Sequence, residues 1–249
     1  MLPTSSGDPL SVRSRVVTFG ADPPATDRGS YTHRMVHFDL TLTTGGSLHP
    51  DGDPSEFISV HTGTIRCLGE DDRLRRVGRM RAYRIHADLA REAGASIFDV
   101  CDCDSQEMHE LYAAIFDVDD DDLRQDLRDE FDGFDGDVLV LDYVLLSPKW
   151  RGLRIGLLAA RKVIDLLGGG CGLVVCDISP LNPHSALFAT IPSGWIPRQT
   201  NPDERRTANR KLRRYYRQMG FRRIVGTRYY GLSTAQPTPS LAELLKRPE

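Results

Sequence analysis

The fold is decided by residues 139–167, which read LVLDYVLLSPKWRGLRIGLLAARKVIDLL. The first part, through Leu146, is almost entirely apolar, which is typical of a strand buried on both faces. Pro148 ends that strand, because proline has no N–H to donate to a neighbouring strand. After a tight turn, apolar residues recur at helical spacing over residues 155–167, and the glycines at 168–170 end the helix.

A strand, a glycine-containing turn and the start of a helix together form a site for an anion. The N–H groups of the first helical turn have no partner within the helix, and the helix dipole adds partial positive charge there. Gly152 and Gly156 allow close approach of a ligand, while Arg151 and Arg154 add formal charge. The ligand that best matches this arrangement is a diphosphate.

The segment Arg151-Gly152-Leu153-Arg154-Ile155-Gly156 resembles the pyrophosphate loop, Q/R-x-x-G-x-G/A, of the GCN5-related N-acetyltransferase (GNAT) superfamily. The apolar-x-Pro sequence ahead of the loop fits the family as well. One position departs from it, since the middle glycine of the family is Arg154 here. An arginine there keeps its backbone N–H and adds a cation.

A second resemblance lies in residues 209–221, NRKLRRYYRQMGF, which match the family pattern N-x-x-A-x-x-F/Y-Y-x-x-x-G-F with Leu212 in place of alanine. The resemblance implies that Asn209 hydrogen-bonds the cofactor arm and that Tyr216 is the general acid. Tyr215 is expected to pack in the core. The two matched segments and the sequence between them cover residues 138–232.

This resemblance implies an α/β (α+β) fold, a GNAT-like mixed central sheet that is splayed and flanked by helices. The expected organisation is a flexible leader (1–30), an acyltransferase domain (31–235) and a polar tail (236–249) with at most one helical turn. The implied activity is an acetyl-CoA-dependent N-acetyltransferase, in which a primary amine attacks the thioester directly. Acetyl-CoA is the expected co-substrate, and no metal is expected.

Site residues follow from the two matched segments. Tyr216 would protonate the leaving thiolate, since a tyrosine pKa of about 10 lies above the thiol value of about 8.5. Asp142 is a candidate for the base that deprotonates the amine, alongside a carboxylate of the acidic stretch 117–137 or a chain of waters. The N–H near Leu146 could stabilise the carbonyl oxygen as it gains charge. The expected cofactor-binding residues are Leu145, Leu146, Ser147, Arg151, Gly152, Leu153, Arg154, Ile155, Gly156 and Asn209.

Composition restricts the class of protein further. The 249 residues carry a net charge of −3, which gives no general preference for a polyanion and argues against a broad nucleic-acid surface. No stretch is apolar enough to span a membrane and no secretory signal is recognisable, so a cytoplasmic location is predicted. The five cysteines are then expected to be free thiols.

The remaining sequence predicts further elements of the fold. Asp104 is expected to cap a helix whose apolar stripe runs over residues 108–116. The acidic stretch 117–137 is interpreted either as a solvated loop and helix or as an attractor for a cationic amine. A long loop, 179–203, contains Trp195 and either walls a pocket or covers the core. Strands are predicted at 36–42, 57–68, 76–86 and 173–178, and a helix at 205–219.

Several alternatives stay open. The same loop could serve a CoA-binding module without turnover, or an acyltransferase with a longer acyl donor, similar to an acyl-homoserine-lactone synthase. A basic helix could direct a nucleic-acid role, through Arg205, Arg206, Arg210, Lys211, Arg213, Arg214 and Arg217. The absence of G-x-S-x-G and of G-K-S/T argues against a serine-hydrolase elbow and a P-loop. The acceptor, a small amine or a protein lysine, and a possible homodimer are not decided by the sequence.

Overall fold

The strands form one mixed sheet in the computed structural model, which describes residues 11–19, 36–45, 53–69, 71–132, 136–179, 191–196 and 201–245. Their order in the sheet is β1-β2-β3-β4-β5-β6-β8-β7. Strands β5 and β6 run parallel, and all other neighbours run antiparallel. The strands are β1 (Ser11–Phe19), β2 (Val36–Gly45), β3 (Ile58–Leu68), β4 (Leu74–Ile85), β5 (Asp137–Leu146), β6 (Cys171–Asp177), β7 (Arg222–Arg223) and β8 (Tyr229–Ser233).

Helices cover both faces of this sheet. Alternate side chains of β5 point to opposite faces and so enter two different cores. Val138 and Val140 pack into one core with α1 to α4, and Leu139 and Leu141 pack into another with α5, α6 and α7. The mixed α/β class predicted from the sequence is confirmed. The helices are α1 (Ala87–Glu92), α2 (Ile97–Asp104), α3 (Gln106–Ile115), α4 (Gln125–Phe131), α5 (Ile155–Leu167), α6 (Pro202–Arg217) and α7 (Leu241–Leu245).

Strand β1 lies within the stretch that was expected to be a mobile leader, residues 1–30. It pairs antiparallel with β2. Its last four residues, VVTF, are β-branched or aromatic and favour a strand, although the sequence around them is rich in turn-forming residues. Residues 1–10 and 20–30 of the leader lie outside the described residues, as do 180–190 and 197–200 of the long loop and 246–249 of the tail.

The predicted cap of α3 was wrong by one residue. Ser105 is the capping residue, and its hydroxyl accepts a hydrogen bond from the N–H of Met108. Asp104 instead forms the end of α2, so the first residue free to adopt the extended conformation of a cap is Ser105, at φ −167° and ψ 161°. The acidic residue predicted to start one helix therefore ends the helix before it.

Asp121, in the acidic stretch 117–137, holds the helices of this region together. One carboxylate oxygen accepts hydrogen bonds from the Ser96 hydroxyl at 2.8 Å and from the Ile97 N–H at 3.0 Å. The other accepts a hydrogen bond from the Tyr112 hydroxyl at 2.6 Å. This carboxylate has a structural role, and attraction of a cationic amine by the rest of the stretch stays a prediction.

A polar network ties β3, β4 and β5 together at the end of the sheet where β5 begins. Asp137, which is 6% exposed, accepts a hydrogen bond from Arg84 Nε at 2.7 Å and lies 3.3 Å from His86 Nδ1. His86 Nε2 in turn lies 2.7 Å from the Ser59 hydroxyl. Burial raises the pKa of Asp137, but the hydrogen bonds from His86 and Arg84 outweigh that effect, and the pKa lies below its usual value.

Replacing Asp137 by asparagine should destabilise the fold by about 2–4 kcal/mol at neutral pH, because Arg84 then loses its anionic partner in a largely buried position. Since folding lowers the pKa of Asp137, its contribution is present at pH 7 and is lost as the pH falls below the usual 3.8 and through the folded pKa. Urea unfolding at several pH values measures this. The difference between wild type and variant should shrink in acid, and a pH-independent difference would contradict this account. Asp99→Asn is the control, since Asp99 is exposed and forms no ion pair among the described residues.

Candidate active site at the fork between two strands

The parallel pairing of β5 with β6 ends at Leu141, although β5 itself continues to Leu146. Asp142 is an extra residue in β5, since its two neighbours pair with the consecutive β4 residues Arg81 and Ala82. A bulge of this kind bends a strand and increases its twist. Beyond Leu141 no described strand pairs with β5 on the β6 side, because β6 ends at Asp177, one residue after its last pair with β5. We call this open edge of β5, over residues 142–147, the fork.

The loop between β5 and α5 contains two residues in the left-handed conformation. Gly152 has φ +79°, and Arg154 has φ +60° and ψ 2°. A side chain with a Cβ rarely adopts that conformation, which suits glycine. Arg154 therefore has the backbone that a glycine would supply at this point of the loop. It precedes α5 without capping it through its side chain, so the first-turn N–H groups of α5 face the loop.

Tyr215 lies against this first turn of α5. Its hydroxyl oxygen accepts a hydrogen bond from the N–H of Leu157. Gly156 makes room for it, because a Cβ at that position would lie 2.6 Å from the Tyr215 hydroxyl. The sequence predicted packing alone, and the structure adds this polar contact. No described group accepts a hydrogen bond from the N–H of Ile155 or Gly156, which remain directed at the loop.

The two arginines of the loop bind backbone carbonyls. Arg151 Nε donates to the carbonyl of Leu146 at 3.0 Å, and its Nη2 donates to the carbonyl of Trp195. Burial lowers the pKa of Arg151. Arg154 Nη1 donates to the carbonyl of Leu244 at 2.5 Å, in the last turn of α7. These side chains hold the loop to β5, to the segment 191–196 and to α7.

The backbone groups of the predicted cofactor segment of β5 point to two sides. The N–H of Ser147 donates to the carbonyl of Val77 at 2.9 Å, next to β4. In an antiparallel strand, the backbone N–H and C=O groups of consecutive residues point alternately toward and away from the partner strand. The residue before Ser147 follows this rule, since the carbonyl of Leu146 points away from β4 and accepts a hydrogen bond from Arg151. Because the N–H and C=O of one residue leave the strand on the same side, the N–H of Leu146 also points into the fork. Leu145 pairs with β4, and its side chain is buried against the segment 191–196.

Tyr216 is buried in the core with α5 and α7, with 8% of its surface exposed. Its ring packs edge-on against Tyr215 and Phe221, at centroid distances of 5.7 and 5.5 Å. Burial raises its pKa well above the usual value, and Cys176, Tyr215 and Asp142 raise it further. Cys176 is the last β6 residue that pairs with β5. Among the described residues the Tyr216 hydroxyl makes no hydrogen bond, so its proton can be donated to a ligand.

Asp142, the candidate base, lies in the bulge and forms an ion pair with Arg81. The Arg81 guanidinium lies between the rings of Tyr83 and Tyr143, 5.0 and 5.6 Å from their centroids. Burial raises the pKa of Asp142, while Arg81 opposes that shift without cancelling it. A carboxylate with a raised pKa is a stronger base than an exposed aspartate. Asp142 lies near enough to Tyr216 to raise its pKa, and the roles of both residues in catalysis stay predictions.

Asn209 lies on α6 two turns before Tyr216, about 10 Å along the helix axis. It lines a cavity of about 330 Å³, and its Oδ1 is buried without a hydrogen-bond partner in the described structure. The other lining residues, none of which the sequence assigned to a cavity, are Ile178, Ser179, Arg213, Arg223, Gly226, Thr227, Arg228 and Tyr230.

The basic residues of α6 that suggested a nucleic-acid role are all exposed. One of them, Arg206, pairs with Asp203 of the same helix at 3.3 Å. Of this group, only Arg213 lines the cavity. Trp195 was predicted either to wall a pocket or to cover the core. The Arg76 guanidinium lies 5.9 Å from the centroid of the Trp195 ring, and the Trp195 carbonyl accepts a hydrogen bond from Arg151.

Comparisons with protein-family models, with curated proteins and with solved structures give no match for this chain. Within the described residues, no cluster of three or more His, Cys, Asp or Glu side chains is arranged to hold a metal ion. No helix in the described ranges combines the length and apolar character needed to cross a membrane.

Proposed function

We propose that this protein transfers an acetyl group from acetyl-CoA to a primary amine. The observation that carries the proposal is the convergence of three features at the carboxyl end of β5. These are the fork, the buried Tyr216 whose pKa responds to Cys176 and Asp142, and the first turn of α5 with no side-chain cap. In open α/β sheets, ligands bind at the carboxyl ends of the strands. The family resemblance implies a splayed sheet, in which the cofactor would lie at such an open edge.

Three features of the described residues would each hold one part of CoA. The N–H groups of Ile155 and Gly156, together with the dipole of α5, would hold the diphosphate. The open edge of β5 in the fork offers the Leu146 N–H to the amide chain of the cofactor arm, as a sheet edge does to an added strand. The buried Oδ1 of Asn209 would accept one amide N–H of that arm.

Bound acetyl-CoA supplies the thioester that a neutral amine attacks. The Leu146 N–H would donate a hydrogen bond to the carbonyl oxygen as it gains negative charge. Asp142 would accept a proton from the attacking amine, directly or through water. Tyr216 stays protonated at neutral pH because burial raises its pKa, so its hydroxyl can donate to the departing sulfur.

Two other functions would use the same loop between β5 and α5. A CoA-binding module without turnover was suggested by Arg154, but Arg154 has the left-handed backbone that suits a glycine, which removes the reason to expect a broken loop. Such a module would need neither Tyr216 nor Asp142. An acyltransferase with a longer donor would need both residues and would differ only in its acyl preference.

Thiol release and direct binding test the proposal. Calorimetry should detect CoA binding, and free thiol should appear with acetyl-CoA and a panel of primary amines. A faster reaction with butyryl- or octanoyl-CoA would favour the longer donor. Binding with no thiol release across the acyl donors and amines would favour the binding module. Absence of CoA binding by the folded protein would refute the proposal.

Replacing Arg154 by glycine should leave CoA affinity within about threefold of wild type, because the backbone geometry is kept and relieved of strain. Arg154→Val should weaken binding by about tenfold or more, since a β-branched residue resists the left-handed conformation. Calorimetric titration measures both variants, and thermal melting checks that the lost bond to Leu244 has not unfolded α7 or α5. If the glycine variant binds as poorly as the valine variant, the guanidinium of Arg154 matters and its backbone does not.

A further inference from the structure

The 330 Å³ cavity opens at the same edge of the sheet as the fork. Its walls come from α6, from the two residues that follow β6 and from the β7–β8 hairpin. Because β6 runs parallel to β5, the carboxyl ends of both strands lie at this edge. The β7–β8 hairpin, which contributes to the cavity wall, follows β6 in the sheet on the side away from β5. The volume is at the lower end of the range for small-molecule sites.

Two arginines in the wall have no carboxylate partner among the described residues. Arg213 forms no ion pair in that part of the chain, and Arg223 donates two hydrogen bonds, of 3.2 and 3.3 Å, to the carbonyl of Thr227. A third arginine, Arg228, is neutralised by Asp177 at 2.8 Å and by a glutamate of α3 at 2.7 Å. The uncompensated positive charge of the cavity therefore belongs to Arg213 and Arg223.

The hairpin holds these cations in place. The hydroxyl of Thr227 donates to the carbonyl of Ile224 at 3.0 Å and accepts from the N–H of Tyr229 at 3.1 Å, which fixes the turn that carries Arg223 and Arg228. Less entropy is then lost when Arg223 binds an anion.

Asn209 adds an acceptor to the same wall. Its Oδ1 is buried without a partner within the described residues. An unpaired buried acceptor is unfavourable, so a ligand N–H that reaches it binds favourably. Since the proposed function gives this acceptor to the cofactor arm, the cavity offers a second, anionic ligand the two cations Arg213 and Arg223.

We propose that this cavity binds a carboxylate or phosphate group of the amine acceptor, so that the acceptors are small anionic amines such as amino acids or phosphorylated amines. The proposal rests on the proposed acetyl transfer and names its substrate class. Planar guanidinium groups match the oxygens of carboxylates and phosphates. The 3′-phosphate of CoA presents the same chemistry, and the experiment separates the two sources.

Initial rates are compared for amines that differ in one anionic group: tyrosine and tyramine, lysine and cadaverine, phosphoethanolamine and ethanolamine. In wild type the anionic member of each pair should react with a kcat/KM at least about tenfold higher. Arg213→Gln and Arg223→Gln should raise KM for anionic amines about 10- to 100-fold and leave neutral amines unaffected. Arg210→Gln, on the same helix but outside the cavity wall, is the matched control and should change neither.

Binding measurements separate the possible failures. If Arg213→Gln weakens binding of CoA but not of 3′-dephospho-CoA, the cavity holds the cofactor phosphate and the acceptor proposal is wrong. Equal rates for anionic and neutral amines would overturn it while acetyl transfer stands. If CoA does not bind, acetyl transfer fails, and NMR saturation transfer with tyrosine and phosphoethanolamine tests the anion site alone. Signals that vanish in Arg213→Gln support the site, and absent signals in wild type refute it.

Discussion

Replacing Tyr216 by phenylalanine is expected to lower the turnover of amine acetylation about 10- to 100-fold while CoA still binds. The substitution removes one hydroxyl from a buried ring and leaves its packing against Tyr215 and Phe221 intact. Stability should change little, because that hydroxyl has no hydrogen bond within the described residues. Thiol release measures kcat, and calorimetry measures the affinity for CoA.

Tyr112→Phe is the matched control for this variant. Tyr112 is also buried, but its hydroxyl bonds Asp121 among the helices on the opposite face of the sheet. The Tyr112→Phe variant should be less stable than wild type, because it loses the hydrogen bond to Asp121, and each folded molecule should keep its turnover. If turnover is unchanged in Tyr216→Phe, the hydroxyl takes no part in the reaction and Tyr216 belongs to the core. An equal loss of turnover in both variants would indicate a general effect on the fold.

Replacing Leu146 by proline is expected to lower turnover more strongly, by about 100- to 1,000-fold, as removal of a donor to a developing oxyanion does. The N–H of Leu146 points into the fork, away from the ladder with β4. Proline is tolerated at strand positions whose N–H is not part of the ladder. The variant should therefore fold and lose one donor group in the fork.

Leu146→Ala separates the two effects of this substitution, since it removes most of the side chain and keeps the N–H. Its turnover should stay within about tenfold of wild type, even though loss of a buried leucine side chain lowers stability by about 2–5 kcal/mol. Circular dichroism and thermal melting check that both variants are folded at the assay temperature. Equal turnover in the proline and alanine variants would show that the N–H does not stabilise the reaction.

The strand, loop and helix over residues 137–167 were predictable from sequence because all of their signals are local. Apolar runs, a proline stop and helical spacing lie within thirty residues of one another. The bulge was not predicted, although Asp142 gave a sign of it as a charged residue inside an apolar strand. Its effect depends on pairing with β4, which joins Asp142 to Arg81 across 61 positions of the chain.

The effect of Asp142 on the pKa of Tyr216 and the cavity beside Asn209 could not be predicted from spacing. Both depend on where α6 lies relative to the strands, and a sequence records no distance between such elements. The tandem tyrosines gave a partial signal, because adjacent helical positions point in different directions. Tyr215 lies against the first turn of α5, which the sequence did not predict, and the role of Tyr216 as general acid stays a prediction.

The bond between Arg154 and Leu244 has a consequence for the order in which the chain is completed during synthesis. A helix of five residues does not persist alone in water, so α7 depends on its burial against α5 and on this bond. The two partners are 90 positions apart, which corresponds to roughly 5 to 20 seconds of translation. The α5 loop thus leaves the ribosome well before the carbonyl that secures Arg154, and the loop gains this contact only once residue 244 has been added.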